Sequence, residues 1–161
     1  MGLLTIAKPA LVAAAAICST GVGAQNPETG QPLKLSFGNI DPEEGEISVS
    51  VCTEPQLEER YSGGSSDCLA SARVPAKEGA QVVFDDLPPG IYAVTAYHDE
   101  DTSGALDFDT RGIPFEATGN AHGARGSFGP PTFDQMKITI APASDGAGTL
   151  TYRIRMFRYD F

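Results

Sequence analysis

The sequence predicts an all-β protein, an antiparallel β-sandwich of about seven strands. Three observations carry this. Apolar residues recur with a period of two through most of the chain beyond residue 32, as they do in strands that bury one face. The alternating runs are short, and clusters of Pro, Gly, Asp and Ser separate them as turns do. No long amphipathic helix interrupts the series, so the apolar faces must cover one another as two packed sheets.

Residues 1–24 stand apart from that pattern. One basic residue, Lys8, precedes the small apolar run Ala10–Ile17, and Val22-Gly23-Ala24 closes the segment as a small-residue cleavage signal. This is the plan of a secretory signal peptide, and its apolar stretch is too short to span a bilayer. Lipoprotein processing at Cys18 is the alternative. It needs a small residue before the cysteine, and Ile17 stands there. The expected mature chain begins near Gln25, with residues 25–32 a flexible polar leader and residues 33–161 a single β-sandwich domain. Its destination is periplasmic or extracellular, and no later segment has the length and apolarity of a membrane span.

Within the domain, Leu33, Leu35 and Phe37 alternate with Lys34 and Ser36. Ile47, Val49 and Val51 alternate with Ser48 and Ser50. Both runs read as half-buried strands. The second register turns Cys52 away from the core face, toward the loop carrying Cys68. In an oxidising compartment that even pair reads as a disulfide, and closing its loop of about fifteen residues is worth roughly 3 kcal/mol by chain entropy. A metal pair is the other reading, but no CxxC spacing or nearby histidine supports it. Gln56–Tyr61 has room for one helical turn before a Gly/Ser loop.

Leu69–Val74 and Gln81–Phe84 are short strands, followed by a Pro-Pro-Gly turn at residues 88–90. Gly90–Tyr97 carries Tyr92, Val94, Ala96 and His98 on one face and Ile91, Ala93, Thr95 and Tyr97 on the other. With two fairly apolar faces it belongs at the centre of a sheet. Asp99–Pro131 is a long loop, of the kind that is usually functional or mobile. Met136–Ile140 and Leu150–Met156 alternate about a turn and predict a closing hairpin.

Eleven Lys and Arg against 21 Asp and Glu leave a formal net charge of −10. That argues against nucleic acid or an anionic membrane surface as a partner. It is compatible with cation binding, although acidity alone is ordinarily solubility. The acidity is most concentrated in His98–Asp109. Set against the calcium-loop pattern, Asp99, Asp101 and Ser103 take positions 1, 3 and 5, and Gly104 takes the turn. Ala105 offers its carbonyl at position 7 and Asp107 falls at 9. Thr110 stands where the bidentate Glu is needed, so Asp109, or Glu116 if the loop folds back, has to substitute. Asp99, Asp101, Ser103, Ala105, Asp107 and Asp109 are the candidate calcium ligands, with an expected Kd of about 0.1–1 mM as in extracellular modules. The plain alternative is a surface turn whose acids cap backbone amides.

His98 and His122 are the only histidines. A small secreted hydrolase would use His98 with Asp99 or Glu116 as acid–base groups, and would need the histidines and a carboxylate in one pocket. The simpler expectation for His98 is a strand-end side chain bonded to a loop carboxylate. No nucleophile elbow or phosphate-cradling glycine loop is present, so a non-enzymatic module is the leading reading, its partner a protein or glycan of the envelope. Arg111 and Arg125 read as surface charge or as an anion site. Phe108, Phe115, Phe128 and Phe133 either face solvent at the end of the sandwich or, more simply, close the core beneath the loop.

Four blocks carry a family likeness: Leu87–Val94, His98-Asp99-Glu100 with Gly104–Asp107, Gly112–Glu116, and Gly129–Phe133. In order and spacing they resemble a bacterial exported family catalogued as domain of unknown function 2141. The resemblance implies a secreted Ig-like or prealbumin-like β-sandwich and no established activity, substrate or catalytic residue. The family's loop is similar to His-Asp-Glu-Asn-x-Asn-Gly, and Asp101 and Ser103 stand at its two Asn positions. The Cys52–Cys68 pair looks like a local elaboration on it.

Overall fold

A computed structural model describes residues 29–64, 67–126, 129–144 and 147–159. The expected signal peptide, its cleavage site and Phe128 lie outside the described residues. Among the described residues, eight strands and two short helices follow one another. They are β1 (Leu33–Gly38), β2 (Glu46–Cys52), α1 (Glu54–Tyr61), β3 (Ala70–Pro75), β4 (Gln81–Phe84), β5 (Gly90–Asp99), β6 (Thr118–Asn120), α2 (Phe133–Met136), β7 (Lys137–Ile140) and β8 (Leu150–Arg155). They form a three-stranded sheet in the order β4-β1-β8 and a five-stranded sheet in the order β3-β2-β5-β6, with β7 also pairing β5. The all-β sandwich expectation holds. The additional strand is β6, three residues inside the stretch read as one long loop, and too short to show alternation.

The alternating residues meet between the sheets. Leu33, Leu35 and Phe37 of β1 and Ile154 of β8 pack against Ile47, Val49 and Val51 of β2 and Val94 of β5. Their burial follows from the two-residue period, which puts every second side chain on the inner face. On the outer face of the larger sheet a second cluster joins Cys52, Leu57, Ala93 and Met136 beneath α1 and α2, with Phe133 against it. The Cys52–Cys68 disulfide pins this layer. Helix α1 runs two turns rather than one. Gln56 Oε1 accepts from Thr53 N at its start (2.9 Å), and Pro55 occupies the first turn, where an N–H has no intrahelical partner.

Three expectations need correcting. β7 and β8 do not form a hairpin. β7 runs antiparallel to β5, with Ile140 opposite Gly90, whereas β8 runs parallel to β1 from Leu33↔Leu150 to Gly38↔Arg155. Alternation is the same for a hairpin and for a crossing between sheets, so the pattern could not separate them. The described part of the expected leader is tied down. Gly30 N donates to Leu87 O (2.8 Å), and a Cβ on Gly30 would overlap Ile140 and the Leu87 carbonyl. Finally, Phe108 and Phe115 do not close the core, being 54 % and 58 % exposed.

Candidate functional site

The C-terminal end of β5 sends consecutive side chains to opposite faces. His98 turns inward and is fully buried, its Nε2 donating to Glu44 O at 2.7 Å. It therefore bonds a backbone carbonyl rather than a loop carboxylate. Its Nδ1 has no hydrogen-bond partner among the described residues and lies 3.8 Å from Glu100 Oε1. His122 is exposed and bonds Lys137 O at 2.9 Å. Lys137 pairs with Ala93, five residues before His98 and so roughly 16 Å along the strand. The two histidines are not brought together.

Asp99 turns to the other face, and its side chain is also fully buried. Oδ2 accepts from Gly104 N (2.9 Å) and Arg73 Nη1 (3.1 Å), whereas Oδ1 has no hydrogen-bond partner among the described residues. Gly104 reaches Asp99 with φ +88°, a conformation glycine adopts without strain. Across the loop, the buried Glu116 accepts from Glu100 N (2.9 Å) through Oε1 and from Asp107 N (3.4 Å) through Oε2. Burial pushes its carboxyl above the usual range. The amide bonds oppose that, and the charges of Asp99 and Asp107 add to it. Asp101 is exposed and accepts from Ser103 N at 2.9 Å, a bond that holds its carboxyl below the usual range.

One carboxylate oxygen from each of Asp99, Asp101 and Glu116 lies within 4.8 Å of the others. The fold thus gathers two of the six expected ligands and adds Glu116, the fold-back candidate. Of the others, Ser103, Ala105 and Asp109 make bonds within the loop. Ser103 Oγ donates to Ala105 O (3.2 Å), and Asp107 presents its N–H to Glu116. Asp109 faces its own turn, accepting from Arg111 N (2.8 Å) and Ile113 N (2.9 Å) and pairing with the Arg111 guanidinium (2.7 Å). These bonds hold its carboxyl low.

Basic side chains bracket the cluster. Arg73 of β3 bridges Asp99 and Gly104 O (3.0 Å). Beyond the sandwich, Arg158 pairs with Glu100 and donates to Phe115 O (3.0 Å). Sequence reasoning passed over both arginines, because each comes from a segment that only the fold brings near. Gly45 closes the floor at φ +72°, where a Cβ would overlap the backbone of Asp99 and Glu100. Gly45→Ala is expected to cost more than about 1 kcal/mol from the backbone conformation alone. Urea denaturation measures this, and an unchanged midpoint would show that the Asp99 backbone yields freely.

Three acids with only oxygen donors, two of them buried, suit a hard cation. Beyond the amides they accept from, a proton, Arg73 or an ion relieves their mutual repulsion. The family model for "Uncharacterized protein conserved in bacteria (DUF2141)" matches residues 36–146, well over half of the chain. The chain belongs to this family. No curated protein and no solved structure matches it. The DUF2141 match takes in Asp99, Asp101 and Glu116 and ends before β8. Among the described residues of this DUF2141 protein, no helix is long and apolar enough to cross a membrane.

Proposed function

We propose that this DUF2141 protein is an exported, non-enzymatic module of the bacterial envelope whose acidic loop binds calcium. The observation that carries the reading is the convergence of Asp99, Asp101 and Glu116, with Asp99 Oδ1 buried and lacking a hydrogen-bond partner among the described residues. Calcium tolerates irregular oxygen shells with carboxylates and carbonyls, which a loop anchored on a strand end supplies. Export is supported by the Lys8, Ala10–Ile17 and Ala24 pattern and by the cysteine pair. The ion braces the loop that carries the exposed Phe108 and Phe115, and its role is to order that end of the sandwich for a binding partner.

Isothermal titration of the purified protein with calcium chloride tests this. A single site with Kd of about 0.1–1 mM is the expected result. Absence of heat throughout the millimolar range would end the proposal.

A further inference from the structure

A groove of about 650 Å³ crosses the outer face of the five-stranded sheet, between α1 and the acidic loop. That volume lies in the range of small-molecule sites. Its lining is unusual for such a site because it is mostly polar. Ser48 and Ser50 of β2 and Ser71 of β3 form the floor, and Tyr97 of β5 stands beside them. Arg60, from the last turn of α1, and Arg73 supply the two guanidinium groups.

Two of these side chains are poised without a protein partner of the matching kind. Ser48 is 9 % exposed, yet its hydroxyl has no hydrogen-bond partner among the described residues. Arg60 donates from Nη1 to Ser50 Oγ (3.2 Å) and lies against Cys68 Sγ (3.1 Å), but forms no ion pair among the described residues. In a chain of net charge −10, a guanidinium held over a serine floor and in no ion pair among the described residues is a place for an anion. Asp67 is the one carboxylate among the described lining residues. Ser50 and Ser71 already share a hydroxyl–hydroxyl bond (3.2 Å), so the floor exchanges hydrogen bonds in both directions, as sugar hydroxyls require.

We propose that this groove binds an acidic saccharide, with its carboxylate on Arg60 and its ring hydroxyls on Ser48, Ser50, Ser71 and Tyr97. Arg73 is held by Asp99 and by Gly104 O and lines the far side. Because Arg73 also touches the acidic loop, the test is run in EDTA. The result then does not depend on whether the loop binds calcium.

The experiment is an ¹⁵N NMR titration of the disulfide-intact protein with sodium D-glucuronate, with D-glucose as the uncharged control. The amides of Ser48, Ser50 and Ser71 and the Arg60 Nε–H are expected to shift together and to saturate. Glucose should move them far less. Arg60→Gln should weaken glucuronate binding by about tenfold or more, the usual loss for one charge-assisted contact. Ser48→Ala removes a hydroxyl with no hydrogen-bond partner among the described residues, so it should weaken binding without altering the melting curve. The proposal is overturned by shifts outside the groove, by equal responses to glucose and glucuronate, or by Arg60→Gln and Ser48→Ala variants that both bind as wild type.

Discussion

Calcium is expected to raise the stability of this protein by about 1.4 kcal/mol at ten times its Kd and about 2.7 kcal/mol at a hundred times. For a domain of this size that is a rise of roughly 4–15 °C in melting temperature. The effect follows from linkage, since an ion held by Asp99, Asp101 and Glu116 binds the folded chain, where the three converge, and not the unfolded one. Asp99→Asn is expected to abolish the shift. The asparagine can still turn its carbonyl oxygen toward Arg73 and Gly104 N, preserving the two bonds that Oδ2 accepts, while an amide replaces the ligand oxygen at Oδ1. Asp101→Ala changes an exposed residue, removes its ligand oxygens and should lose most of the shift without disturbing anything buried. Differential scanning calorimetry in calcium and in EDTA decides the matter. Equal shifts in wild type and Asp99→Asn would show that the ion binds elsewhere.

Removing the disulfide, as Cys52→Ala with Cys68→Ala, is expected to cost about 3 kcal/mol, the chain-entropy value for a loop of roughly this length. In melting temperature that is a fall of roughly 10–15 °C. The loop closed by the bond contains α1, whose buried Leu57 rests on Cys52, Ala93 and Met136. Release of the bond therefore frees the unfolded chain and loosens the layer on the outer face of the sheet. Arg60 lies inside the same loop, so the variant should also respond more weakly to glucuronate. Guanidinium denaturation of the variant beside the wild type measures the cost. A loss under about 1 kcal/mol would mean that packing around Leu57 holds the loop without the bond.

Both results depend on features of unequal legibility. Seven of the eight strands were readable, because alternation reports local burial and each run is long enough to show it. β6 was not, since three residues carry no period. The pairing of β8 with β1 was hidden for a different reason: Leu150, Tyr152, Ile154 and Met156 announce a buried face but not the sheet to which it belongs. At the site, Asp99 and Asp101 stood out by spacing. Glu116 entered only as a fold-back candidate, and Arg73 and Arg158 did not enter at all.

By itself, then, the sequence determined the all-β class, the inward face of each longer strand, the Cys52–Cys68 pairing and the location of the acidic loop. These are local properties, written in the two-residue period and in turn chemistry. Tertiary structure decided which oxygens meet. Pairing of β5 with β6 carries Glu116 back beneath Glu100 and Asp107, and pairing of β2 with β3 brings Arg73 onto Asp99. Asp109 shares the loop but spends its carboxylate on its own turn. Spacing along a chain sets which groups can be near one another. Strand pairing, which depends on every residue in the core, selects the ones that are.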